Sequence, residues 1–115
     1  MPNWAVADKN RGKDGEFVRD ASKIRDWVTA DGSSGFRAEP GRYHLYVSLA
    51  CPWSQRAVIV RALKGLEESI GISYAHPYRD DRGWAFDGEE FIDTVNGWEF
   101  LSTAYDETDP EYSGR

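Results

Sequence analysis

The sequence predicts an α/β chain built on one strand-helix-strand unit, and three observations carry that prediction. Over residues 43–49 apolar side chains alternate, with Tyr43, Leu45, Val47 and Leu49 on one face and His44, Tyr46 and Ser48 on the other, the period of a strand. From Pro52 onward the apolar residues Trp53, Ala57, Val58, Ile59, Val60, Ala62 and Leu63 fit a helix, leaving a narrow polar stripe near Ser54 and Arg61. After the punctuating Gly65 and Gly71, Ile72, Tyr74 and His76 alternate with Ser73 and Ala75 as a second strand ahead of Pro77. A strand, a helix and a second strand in that order make a parallel pair with a right-handed crossover.

The helix start is the most informative point. Pro52 has the fixed φ of a first helical turn and lacks an N–H that would be unpaired there, so the helix begins beside Cys51. That residue is the only cysteine of the 115. A helix N-terminus carries partial positive charge and free N–H groups, which favour a thiolate. The tetrapeptide Cys51-Pro52-Trp53-Ser54 has the C-x-x-C redox spacing with serine in place of the second cysteine, so an internal disulfide cannot form within this chain. A mixed disulfide made by Cys51 must then be resolved by an outside thiol, of which glutathione is the abundant intracellular one. The competing reading is that Cys51 is a small buried hydrophobe without chemistry.

The elements around this unit read as follows. Residues 1–15 are polar and without period, an extended or mobile lead-in. Phe17, Ala21, Ile24 and Val28 recur at helical spacing with Trp27 beside them and predict a short amphipathic helix. The composition of residues 30–35 predicts a loop, giving an arm over residues 1–35 and a domain over 36–115. The helix after Cys51 is apolar enough to be covered on more than one side, by a compact core or by a partner. Downstream, Trp98, Leu101 and Tyr105 stand at helical spacing and Asp109-Pro110 ends that run; no further strand is evident. Trp84, in a Gly-bounded loop, packs under that loop or faces a ligand. Arg56 assists the thiolate or makes a surface ion pair. His44 and His76 are structural or face solvent, and the acids of residues 87–111, with no lysine or arginine among them, read as a solvated face.

Composition narrows the class. At 40% apolar with five tryptophans the chain supplies a core of ordinary size for one domain at most. A net charge of -6 argues against a nucleic acid or an anionic membrane surface as partner. The N-terminus lacks a signal-peptide pattern, no apolar run approaches membrane-spanning length, and one cysteine supports no disulfide framework, so a cytoplasmic setting is expected. One cysteine and two separated histidines make no metal site.

The segment 45–67, LYVSLACPWSQRAVIVRALKGLE, followed by HPYRDDRGWAFD and DPEYSGR, resembles the N-terminal part of the glutathionyl-hydroquinone reductases, the Xi class of glutathione transferases. The similarity runs over residues 14–115, and the C-P-W-x-x-R segment with the later G-W is its selective pair. The resemblance implies a thioredoxin-like fold truncated after the βαβ unit, with an all-helical C-terminal domain beyond this chain and a homodimer as the full-length state. It implies Cys51 as the catalytic residue, Trp84 against glutathione, and Arg115 as the start of a glutathione-contacting segment. The implied partners are glutathione as co-substrate, without metal, and S-glutathionyl hydroquinones; the family's cis-proline turn, Glu-Ser pair and proton-donating tyrosines fall outside this chain.

Two rivals remain: an Omega-like thiol transferase or dehydroascorbate reductase, and a non-catalytic glutathione- or partner-binding thioredoxin-like module. Two parallel strands do not make an independently stable sheet. The chain alone is therefore expected to fold marginally or self-associate, and to be weak or inactive as an enzyme.

Overall fold

The computed structural model describes residues 12–18 and 21–112. Its regular elements are β1 (His44–Val47), α1 (Pro52–Leu63), β2 (Gly71–Tyr74) and α2 (Ser102–Thr108). The two strands pair in parallel, His44 with Gly71 through Val47 with Tyr74, with α1 as the crossover. The strand-helix-strand prediction therefore holds, with shorter strands. β1 stops at Val47 because Ser48 turns the chain: the Cys51 N–H donates to the Ser48 carbonyl at 3.0 Å and the Ala50 N–H to the Ser48 hydroxyl at 3.3 Å. Past β2, the Ala75 N–H still reaches Val47 O, but the His76 N–H turns to Ala85 O at 2.8 Å.

That turn adds irregular rungs beside the sheet. Phe86 N–H donates to Glu99 O and Leu101 N–H to Trp84 O, around an isolated antiparallel bridge between Ala85 and Phe100. Helix α2 accordingly starts after Leu101, later than the spacing of Trp98, Leu101 and Tyr105 predicts, because the Trp98 and Leu101 amides are taken by Asp93 Oδ2 and Trp84 O. It stops at Asp109, ahead of Pro110, as expected.

Two expectations are overturned. Residues 17–18 and 21–28 are not helical, and Phe17, Ile24, Trp27 and Val28 are exposed. A short amphipathic helix is marginal unless its apolar stripe is buried, and among the described residues this stripe stays largely exposed. Residues 30–35 do form a loop, tied by the Ser34 hydroxyl to Trp27 O at 2.6 Å and by Thr29 N–H to Phe36 O. The acids of residues 87–111 are not all solvated. Asp93 is buried at 3% exposure, because its carboxylate accepts four hydrogen bonds within the protein: Oδ1 from the Tyr46 hydroxyl and the Val95 and Asn96 N–H groups, Oδ2 from the Trp98 N–H. A carboxylate so paired is stable away from water.

The core sits at the C-terminal edge of the sheet, where Val47, Ala75 and Phe86 are the buried apolar residues among those described. Helix α1 contributes no buried residue, and Trp53, Ile59, Val60 and Leu63 are exposed. Of the two coverings expected for it, the described residues supply only the sheet, on one side. A groove of about 600 Å³ remains between α1 and the segment before β1, with Val28, Pro40, Leu45, Val60 and Ile70 among its walls.

Candidate functional site

In a parallel sheet the segments leaving the carboxyl ends of the strands are free of ladder bonds and can hold functional groups. Both β1 and β2 end at one edge, and Cys51 follows β1 there. Ser48, 2% exposed, organises the turn that carries it. Its carbonyl and hydroxyl accept the two N–H bonds above, and its own N–H donates to Ser54 Oγ at 3.4 Å. Gln55 Nε2 holds Leu49 O at 3.0 Å from the helix side. Cys51 is left in extended backbone (φ -95°, ψ 115°) as the N-cap of α1, half-buried, with Pro52 as the first helical residue.

The surroundings of the sulfur favour its anion. Burial pushes the Cys51 thiol up, but the Ser54 N–H and hydroxyl, the Trp53 N–H and the Arg79 charge outweigh it and hold the thiol below its ordinary value. The thiol closes no capping hydrogen bond of full geometry. The amides therefore act on it as a helix end does, by oriented dipoles. Half-buried, with no cysteine partner in the chain, the sulfur can act as a nucleophile toward another sulfur.

Trp84 follows a tight turn on the β2 side. Gly83 is at φ +96°, a backbone that disfavours side chains, and its N–H donates to Asp80 O at 3.1 Å. Asp80 binds the Arg82 N–H at 2.8 Å and the Arg82 guanidinium through Nε and Nη2 at 3.0 and 2.5 Å; these bonds hold the Asp80 carboxyl below its ordinary value. The Trp84 ring is half-buried, and the Arg79 guanidinium lies over it, 5.6 Å from the centroid. Arg79 thus lies over Trp84, and its charge is the last of the influences that lower the Cys51 thiol. Arg115 lies outside the described residues.

Other candidates fall into structural roles. His44 Nε2 is 2.7 Å from Ser73 Oγ, and His76 Nδ1 accepts the Tyr78 N–H at 3.0 Å, which leaves the ring proton of a neutral imidazole on Nε2. Arg56 is exposed and takes part in neither of the ion pairs found among the described residues, Arg42–Glu39 and Arg82–Asp80. Sequence reasoning missed Ser48 and Arg79. Ser48 gives no signal, since serine is ordinary at the end of a strand. Arg79 gives a faint one, its place just beyond the second strand.

No protein-family model matches the chain. Among curated proteins it is 48% identical over 103 residues to the glutathionyl-hydroquinone reductase of Sphingobium chlorophenolicum, covering 88% of this chain and 32% of that protein. It is 50% identical over 111 residues to the glutathionyl-hydroquinone reductase of Escherichia coli, covering 88% and 34%. Among solved structures it superposes on the Xi glutathione transferase of Saccharomyces cerevisiae in complex with glutathione with a TM-score of 0.79 at 32% identity, covering 88% of this chain and 38% of that one. The fold is that of the thioredoxin-like part of the glutathione transferases. Within that class the chain is similar in sequence to the N-terminal part of the glutathionyl-hydroquinone reductases, and it spans about a third of their length.

Proposed function

We propose that this chain carries the nucleophile of a glutathione-dependent reductase that removes glutathione from S-glutathionyl hydroquinones. The observation that supports it most is Cys51 at the N-cap of α1, its thiol held toward the anion, in a chain with no second cysteine. Its similarity to the two named reductases supplies the substrate class. In the first step the Cys51 thiolate attacks the glutathione sulfur of the conjugate. A Cys51–glutathione disulfide forms, the carbon–sulfur bond breaks, and the aromatic ring leaves with the electron pair and takes up a proton. In the second step the thiolate of free glutathione attacks the glutathione sulfur of this disulfide, releasing glutathione disulfide and the Cys51 thiolate. The aromatic carbon is reduced by two electrons and the two glutathione sulfurs are oxidised. Trp84 offers glutathione an apolar ring face and Arg115 a guanidinium for a carboxylate. The setting is the reducing cytoplasm, and the full-length protein acts as a homodimer; among the described residues no helix is long and apolar enough to cross a membrane.

The test is turnover of a full-length protein carrying this segment. With glutathione and an S-glutathionyl hydroquinone it releases free hydroquinone and glutathione disulfide in equal amounts, and Cys51→Ser abolishes both. A Cys51→Ser protein that turns over like its parent would remove the reading. On the full-length protein, glutathione disulfide adds one glutathione at Cys51 by mass spectrometry, and absence of the adduct together with unchanged turnover of Cys51→Ser would favour a non-catalytic module.

A further inference from the structure

Two backbone rotations set where the Cys51 side chain stands, and different residues govern them. Pro52 governs ψ, because a residue before proline is confined to the extended region; Cys51 has ψ 115°. The other, φ, is the angle at which the turn of residues 48–50 meets the helix. Inside that turn Ser48 takes the Cys51 and Ala50 N–H groups, but both bonds travel with the turn and leave φ free. The angle is held instead by bonds that cross from the turn to α1. The Ser48 N–H donates to Ser54 Oγ at 3.4 Å, and Gln55 Nε2 donates to Leu49 O at 3.0 Å.

Gln55 makes a further bond that Ser54 does not. Its own N–H donates to Cys51 O at 3.2 Å. One residue therefore grips the chain on both sides of the Cys51 N–Cα bond, the Leu49 carbonyl before it and the Cys51 carbonyl after it. That bond matters because a residue caps a helix only while it is extended, with its side chain by the first free amides. In this conformation burial opposes the Cys51 thiolate, while the Ser54 and Trp53 N–H groups favour it. A turn free to swing takes the sulfur away from those amides.

We propose that Gln55 is a positioning residue of the Cys51 site: its side-chain amide, by holding the Leu49 carbonyl, keeps Cys51 extended at the N-cap of α1. The proposal rests on the reading of Cys51 as an attacking thiolate. It gives Gln55 a part in both steps, since the thiol that attacks as an anion in the first is the leaving group of the second.

The test is alkylation of Cys51 by iodoacetamide across pH in a full-length protein carrying this segment, followed by mass spectrometry on the peptide that contains Cys51. Gln55→Met keeps the length and the helix propensity of the side chain and removes the donor; Gln55→Ala removes the stem as well. Both variants move the inflection to higher pH and slow alkylation below it by about two- to ten-fold, the worth of one hydrogen bond. Leu49 is 55% exposed, so water can serve its carbonyl in the variants and the effect stays within that range. Well above the inflection the rates do not fall, because a thiolate of higher pKa is at least as nucleophilic. An inflection unchanged in both variants would overturn the proposal, even with a lowered denaturant midpoint, since the bond would then be structural only. A shift in Gln55→Ala alone would overturn it too, by assigning the effect to the stem, as would an equal fall in rate at every pH, which is a change of access. A parent inflection at the ordinary thiol value of roughly 8.5 would instead remove the reading of Cys51 itself. A low parent inflection that both variants share removes only the role of Gln55.

Discussion

The two faces of the β1–β2 pair are covered in opposite ways. One carries α1, the longest regular element among the described residues, and no residue of that helix is buried. The other carries the irregular, acidic segment after Trp84, and it is closed by hydrogen bonds. Tyr46 donates to Asp93 at 2.9 Å and accepts Asn96 Nδ2 at 3.1 Å; Ser73 meets His44 on one side and Thr94 on the other. The rings of Phe86 and Trp98 stand 6.0 and 6.2 Å from Tyr46. Regularity and burial are therefore separate properties here. A helix satisfies its own backbone wherever it lies, whereas a loop that crosses a sheet must find partners for every amide it buries.

The comparison breaks first at Asp93. Asp93→Ala strands the Tyr46 hydroxyl and the Val95, Asn96 and Trp98 amides, so we expect a loss of about 2–4 kcal/mol, read as a lower denaturant midpoint. The same carboxylate gives a pH signature. Burial pushes its pKa up, but the Val95, Asn96 and Trp98 amides and the Tyr46 hydroxyl outweigh it and hold the group below its ordinary value. The folded chain thus binds fewer protons than the unfolded one at this site. Its contribution is fully present above the unfolded value of roughly 3.9 and is lost as pH falls through the lower folded value. Midpoints of the parent and of Asp93→Asn, compared from pH 6 downward, should converge only below about pH 4; a constant gap through that range would show that the carboxylate charge is not what the network holds.

Tyr46→Phe sharpens the comparison at a smaller scale. It removes one donor to Asp93 and the acceptor of Asn96 Nδ2 while keeping the ring between His44, Phe86 and Trp98. About 0.5–1.5 kcal/mol is expected for the hydrogen bonding alone. Combined with Asp93→Asn it should fall short of the sum of the single effects, since the residues share a bond. Strict additivity would mean that the bond contributes nothing.

How far all this was legible in the sequence depends on whether an element answers to local pattern or to a distant partner. The strands, α1 and the place of Cys51 were legible, because alternation, helical spacing and Pro52 are local signals. The burial of Asp93 was not, because its partners include Tyr46, 47 residues earlier in the chain. The helix expected from Phe17, Ile24 and Val28 failed for the converse reason, a local pattern without a surface to complete it. Of the candidate site, Cys51 and Trp84 were singled out, while Ser48, which organises the turn to Cys51, and Arg79, which lies over Trp84, emerge only from the folded chain.

The smallest effect belongs to the exposed face of α1. Leu63 is 80% exposed in the last turn of the helix, so truncation there removes little buried surface. At roughly 25 cal/mol per Å² of apolar surface removed from water, a side chain that stays wet contributes almost nothing to folding. Leu63→Ala should therefore shift the denaturant midpoint by less than about 0.5 kcal/mol, within the range of surface substitutions. The same residue matters for what the face attracts. With Ile59 and Val60 it leaves apolar surface in water, and such patches promote association. Leu63→Glu should accordingly lower self-association and dye binding of the 115-residue chain without changing its unfolding midpoint. Sedimentation and dye fluorescence at matched concentration decide it: a destabilised Leu63→Glu, or one that associates as strongly as its parent, would mean that this end of α1 is packed against something and that the two faces are not so different.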